Sequence, residues 1–172
     1  MILIALGANM PHPQHGDPVN TLAAAVREIA NFVTLIHQSS WYRTAPVPVS
    51  DQPWFANAVI SVATDMTPDE LLATLHRIED EFGRVRRKKW EARVLDLDLL
   101  TFRDLVTENR DQDEGIVLPH PQMQERAFVL APIAEIAPEW RHPVSNLQAQ
   151  ELLSGLPSEQ AFDIIGVADL PS

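Results

Sequence analysis

The chain has 172 residues, of which 45% are hydrophobic and 22% charged, with no cysteine and a net charge of −11. That composition fits one soluble globular domain over residues 1–172 and excludes disulfides, a thiolate zinc site and a cysteine nucleophile, in keeping with a reducing cytoplasm. The acidic balance argues against non-specific nucleic-acid or membrane-surface binding, and no apolar run approaches the roughly 18 residues of a membrane span.

Met1–Leu6 reads as a short buried strand, because it has neither the basic flank nor the cleavage site of a leader. Gly7-Ala8-Asn9 ends it. Asp17-Pro18 then opens a helix, with Asp as N-cap and Pro in the first turn, and Val19, Leu22, Val26 and Ile29 on one face. A second strand is expected from about Phe32 to Arg43. Pro46, Pro48 and Pro53 make the stretch from Thr44 to Pro53 a loop. A third strand, about Trp54 to Thr64, alternates Phe55, Asn57, Val59, Ser61 and Ala63 against Trp54, Ala56, Ala58, Ile60 and Val62. Thr67-Pro68-Asp69-Glu70 carries a capping box, Leu71, Leu72, Leu75, Ile78 and Phe82 form an apolar stripe, and Gly83 suits the C-terminal cap.

A fourth strand spans about Val94 to Phe102. A polar excursion, Asn109–Gly115, follows it. Pro121 to Pro138 reads as helical but broken at Pro132, and the tail beyond Pro157 carries no readable signal. Strand, helix, strand, strand, helix, strand is the βαββαβ order of an α+β, ferredoxin-like sandwich with C-terminal additions. Its antiparallel sheet is expected to carry helices on one face and to leave the other open to a ligand.

Of the 13 Lys and Arg residues, six lie in ten positions: Arg84, Arg86, Arg87, Lys88, Lys89 and Arg93. Such a segment suits a compact polyanion, or is simply a solvated loop. It runs into Arg93-Val94-Leu95-Asp96-Leu97-Asp98-Leu99-Leu100. On a strand, Leu95, Leu97 and Leu99 face one way and Asp96 and Asp98 the other. The two aspartates are then about 6–7 Å apart at their Cα atoms. Asp is a poor strand former, and two like charges on one face repel. Mg²⁺ would offset this, since it favours one or two carboxylates plus phosphate oxygens. Two solvent-facing acids on a sheet edge are the plainer alternative.

Phosphoryl-type transfer needs positioning and charge neutralisation, which Arg and Lys supply. The chain has no glycine-rich phosphate cradle, so side chains and metal must do that work. Trp90 either stacks on a flat ring or anchors its loop. Glu79 and His76 read as residues on the solvent edge of the second helix. His120 is presented between Pro119 and Pro121. His12, His15 and His37 have no metal-ligand spacing. Phe55 and Asn57 share a strand face able to stack on and hydrogen-bond a heterocycle, although by themselves they read better as a core Phe and a strand-edge Asn.

Several segments together resemble the 6-hydroxymethyl-7,8-dihydropterin pyrophosphokinases. They are Ala5-Leu6-Gly7-Ala8-Asn9, Ser39-Ser40-Trp41-Tyr42-Arg43-Thr44, Asp51-Gln52-Pro53-Trp54-Phe55-Ala56-Asn57-Ala58, Gly83-Arg84-Val85-Arg86, Arg93 through Leu100, and Leu118-Pro119-His120. The likeness runs in order from Met1 to about Pro138. It implies a ferredoxin-like fold, a single catalytic domain, and transfer of the β,γ-pyrophosphoryl group of ATP to the pterin hydroxymethyl oxygen in folate biosynthesis.

By this resemblance Asp96 and Asp98 hold two Mg²⁺ ions, and Arg86 and Arg93 join them in catalysis. The ATP side comprises His76, Glu79, Arg84, Arg86, Lys89, Trp90, Arg93, the Leu99 backbone, His120 and Arg126. Gly7, Thr44, Ala45, Val47, Phe55, Asn57, Trp90, Asp96 and Phe128 enclose the pterin, its ring between Phe55 and Phe128. The family usually has Trp-Gly-Pro-Arg where this chain has Trp90-Glu91-Ala92-Arg93. The expected partners are these two small molecules, with no nucleic acid and no membrane, and the expected state is a cytoplasmic monomer. The alternative is a ferredoxin-like nucleotide-binding or regulatory module without catalysis.

Overall fold

The computed structural model describes residues 1–83, 94–107 and 115–166. The elements follow the expected order: β1 (Ile2–Ala8), α1 (Pro18–Ile29), β2 (Thr34–Gln38), β3 (Trp41–Thr44), β4 (Phe55–Ala63), α2 (Pro68–Glu81) and β5 (Asp96–Phe102). A short 3₁₀ turn (Met123–Glu125), α3 (Ala127–Ile136), α4 (Ala149–Ser154) and β6 (Phe162–Gly166) complete the elements of the described residues. The strands form one sheet in the order β5-β1-β4-β3-β6, with β2 also paired to β4, and every pairing is antiparallel. This is the ferredoxin-like α+β fold.

Both long helices begin where capping chemistry places them. The Asp17 carboxylate accepts the Asn20 N–H at 2.9 Å. Thr67 and Glu70 close a reciprocal capping box at the head of α2. Gly83 follows the last turn at φ +85°, a conformation that glycine adopts without a Cβ penalty.

The single strand expected over 32–43 is two strands. β2 pairs with β4 as Gln38↔Ile60 and β3 as Tyr42↔Asn57, so the β2–β3 side holds one extra residue. The Ser39 hydroxyl accepts the Val59 N–H at 3.0 Å and donates to the Ser40 carbonyl at 2.8 Å. A side chain thus stands in for a ladder carbonyl, and the strand kinks there.

The second sheet face is not open along its whole length. One face packs under α1 and α2 through Ile4, Leu6, Ala58, Ile60, Leu97 and Leu99 with Leu22, Ile29, Leu71, Leu75 and Ile78. The other carries Leu3, Ala5, Val59 and Leu100 under Met123, Val129, Leu130, Ile133 and Trp140. Helix α3 is unbroken, with Pro132 inside it. The proline removes one N–H from the helical ladder. Burial of Val129, Leu130, Ala131, Pro132 and Ile133 against the sheet offsets that loss. The tail also takes part: β6 adds to β3 as the outermost strand. Among the described residues no helix is long and apolar enough to cross a membrane.

Candidate active site

The α3-covered face is left uncovered at one end, and strand register gathers polar residues there. Gly7 of β1 lies directly between Asn57 of β4 and Asp96 of β5, and Ala5 lies opposite Asp98. Thr44 pairs with Phe55 one step further along. These residues line a cavity of about 320 Å³, walled by Ala45 to Pro48 of the proline-rich loop and by His120, Gln122, Arg126 and Phe128.

Within β5 the alternation is as expected. Leu95, Leu97 and Leu99 are buried at 1%, 2% and 4% exposure, whereas Asp96 and Asp98 face the cavity. The Arg126 guanidinium lies 4.0 Å from Asp98 Oδ2 and 5.5 Å from the Phe128 ring centre, and it donates to Gln122 Oε1. Two carboxylates and one guanidinium therefore share one end of the cavity.

The other end is apolar with an amide at its floor. Phe55 supplies a ring there, Phe128 supplies a second beside Arg126, and Asn57 donates through Nδ2 to the Thr44 hydroxyl. Gly7 has a steric reason to be glycine, because a Cβ there would stand 2.9 Å from Asn57 Oδ1. Thr44 thus anchors the Asn57 amide through its nitrogen, and the absence of a Cβ at Gly7 leaves room for its oxygen. Asn9 donates to Gln52 Oε1 and to the Pro53 carbonyl at 3.1 Å each, tying the loop after β1 to the proline-rich loop.

The His120 N–H donates to the Leu100 carbonyl at 2.8 Å, which docks the Leu118–Pro121 segment on β5. Its Nδ1 accepts the Gln122 N–H at 3.2 Å. Burial, helped by the nearby Arg126 charge and opposed by Asp96, lowers its pKa to about 4. The imidazole is neutral at pH 7. With Nδ1 occupied as an acceptor, its proton sits on Nε2.

The structure corrects one placement. Glu79 is not on the solvent edge but fully buried, and its Oε1 accepts the Leu97 N–H at 2.7 Å. It supports β5 at the residue between the two aspartates, beneath the cavity. A carboxylate at a helical surface position gave no sequence signal of this. His76 is half-buried on α2, and neither it nor Leu99 lines the cavity; the Leu99 side chain belongs to the core. Gln122, which sequence reading missed, lines the cavity beside Arg126. Its spacing of four residues before that arginine was the one available hint. Arg84, Arg86, Lys89, Trp90 and Arg93, like the excursion at 109–114, lie outside the described residues.

The fold and the cavity define a ferredoxin-like α+β protein with a cavity lined by polar and aromatic side chains at one end of its sheet. Residues 3–138 match the model of the 7,8-dihydro-6-hydroxymethylpterin-pyrophosphokinase (HPPK) family. The chain is 41% identical over 138 residues to the 2-amino-4-hydroxy-6-hydroxymethyldihydropteridine pyrophosphokinase of Methylorubrum extorquens, covering 79% of this chain and 82% of that protein. It is 41% identical over 152 residues to the Bacillus subtilis protein of the same name, covering 86% and 84%. Among solved structures, a Plasmodium falciparum HPPK-DHPS triple mutant matches with a TM-score of 0.71 at 16% identity, a likeness of fold. That match covers 89% of this chain and 42% of the longer one.

The chain therefore belongs to the 7,8-dihydro-6-hydroxymethylpterin-pyrophosphokinase family. It is a transferase of the pyrophosphokinase type, in folate biosynthesis.

Proposed function

We propose that the cavity binds ATP at its charged end and 6-hydroxymethyl-7,8-dihydropterin at its aromatic end, and that the chain passes the β,γ-pyrophosphoryl group from one to the other. The pterin hydroxymethyl oxygen bonds to the β-phosphorus as the bond from that phosphorus to the α,β-bridging oxygen breaks. AMP leaves, the pterin diphosphate remains, and the hydroxyl proton is lost. The observation that carries this reading is that one cavity is lined both by the charged groups Asp96, Asp98 and Arg126 and by the rings and amide of Phe55, Phe128 and Asn57.

Asp96 and Asp98 would hold Mg²⁺, two ions in the full complex. The fit is chemical. Both carboxylates face the same cavity, and among the described residues no group of three or more His, Cys, Asp or Glu forms a closed cage. Mg²⁺ keeps most of its shell for water and phosphate, so an open pair suits it better than a cage. When bound, it supplies charge neutralisation to the phosphates.

The protein's own groups divide the remaining work. Arg126 offers a planar fork of donors to phosphate oxygens. His120, neutral and protonated on Nε2, donates a hydrogen bond without adding charge. Phe55 and Phe128 bracket the pterin ring while Asn57 and Thr44 meet its polar edge, with Gly7, Ala45 and Val47 shaping the slot. Arg86 and Arg93 complete the phosphate side, with Arg84, Lys89, His76 and Trp90 around the nucleotide. Glu79 contributes by supporting β5.

The test is product analysis. With ATP, Mg²⁺ and the hydroxymethyl-dihydropterin, AMP and pterin diphosphate should form in equal amounts and stop on chelation. Stoichiometric ADP would refute pyrophosphoryl transfer.

A further inference from the structure

The segment bearing Arg126 is an irregular joint. The 3₁₀ turn ends at Glu125 and α3 begins at Ala127. Arg126 stands between them in an extended conformation, φ −120° and ψ 110°. A lone extended residue between two helical pieces is a pivot, and a small rotation there is amplified at the end of a long side chain. The helix start also lacks local capping, because Arg126 as N-cap residue makes no side-chain cap bond. The first N–H groups of a helix need acceptors from elsewhere.

One distant side chain meets both needs. Gln160 Oε1 accepts the Ala127 N–H at 2.8 Å, and Gln160 Nε2 donates to the Glu125 carbonyl at 2.8 Å. The two bonds straddle Arg126, one residue on each side. Gln160 is itself held by its neighbours in the tail. The Ala45 N–H donates to the Ala161 carbonyl at 3.2 Å, and Arg43 pairs with Asp163 at 3.0 Å as β6 joins β3. Gln160 does not line the cavity.

We propose that Gln160 is a positioning residue for Arg126, and that the segment leading into β6 thereby sets the geometry around Arg126 in the site. A primary amide is suited to this, since it presents an acceptor and a donor side by side and carries no charge. The catalytic consequence rests on the phosphate role given to Arg126 above.

The test uses the full chain with ATP, Mg²⁺ and the hydroxymethyl-dihydropterin. Gln160→Ala should broaden or shift the Arg126 Nε–H resonance in the free protein. It should raise the KM for ATP by about tenfold, the order expected for a misplaced binding group. The KM for the pterin should rise less than that for ATP, because Phe128 shares the joint but Phe55 and Asn57 stand on β4. In an Arg126→Ala background, Gln160→Ala should add no further change in the ATP KM, the mark of two residues acting as one unit. An unchanged Arg126 signal, or an equal ATP effect in that background, overturns the proposal. If Arg126→Ala alone leaves the ATP KM unchanged, the phosphate role of Arg126 is what fails. Loss of Arg126 order in Gln160→Ala would still support the positioning contact.

Discussion

The two faces of this sheet are made by the same strands and do opposite things. On the α1–α2 face, Leu6, Ala58 and Leu97 are buried to 1%, 0% and 2% exposure in a closed apolar core. One residue along on each strand, Gly7, Asn57, Asp96 and Asp98 point to the other side, where α3 and α4 cover only part of the sheet. Adjacent residues thus carry unrelated burdens, because the side-chain period of a strand is two. The first face stabilises the fold by burying area. The second brings together two like charges and a buried amide hydrogen-bonded to Thr44, groups that bury little apolar area.

The largest effects should separate the two faces at neighbouring positions. Asp98→Asn should lower turnover by at least about 10²-fold, the scale for removing one preorganised charged group. Its urea-unfolding stability should stay within about 0.5 kcal/mol, since it removes repulsion from Asp96 along with a long, partly exposed pairing with Arg126 at 4.0 Å. Leu97→Ala should do the reverse, costing about 2–5 kcal/mol as a buried leucine truncation. Where that variant is folded, kcat should hold to within a few-fold. Near-normal turnover in Asp98→Asn would remove the metal–phosphate reading of the pair.

Glu79 sharpens the comparison because it bridges the faces. It is buried on the core side, yet it accepts the backbone N–H between the two aspartates. Glu79→Ala leaves that donor without its acceptor and should cost about 1–3 kcal/mol. It should also lower kcat more than Leu97→Ala does, since it loosens the strand at the Asp pair. Glu79→Gln, which keeps an acceptor oxygen, should recover most of the stability. If Glu79→Ala lost stability with unchanged kcat, the residue would belong to the core alone.

The last effect is a pH dependence at His120. Its pKa is about 4 in the folded protein against about 6.5 unfolded. Between those values the unfolded chain binds the extra proton and the folded chain does not, so stability falls as pH drops through that window. Replacing the ring by phenylalanine should flatten unfolding free energy against pH from about 6.5 to 4, relative to the parent. An unchanged slope would show that other groups dominate acid unfolding.

Much of the first face was legible in the chain. Capping at Asp17-Pro18 and Thr67–Glu70, the apolar stripe of α2 and the alternation of β5 are local patterns, read over a few residues at a time. Leu95, Leu97 and Leu99 against Asp96 and Asp98 needed only the two-residue period of a strand. The family resemblance added the residues of the second face, and most of those within the described residues do line one cavity.

Other features were settled only by contacts between distant positions. Ser39 splits one expected strand in two because its hydroxyl meets the Val59 N–H, 20 residues away. Pro132 stays inside α3 because burial against the sheet outweighs one lost hydrogen bond. Glu79 is buried because Leu97, 18 residues on, presents an N–H to it. The tail, mute as sequence, becomes an edge strand and supplies Gln160 to a joint 33 residues earlier. The sequence by itself determined the periodicities, caps and charge pattern, since these arise from neighbours along the chain. Tertiary structure alone decided which polar atoms found each other, since a hydrogen bond forms between whichever donor and acceptor the register brings within about 3 Å.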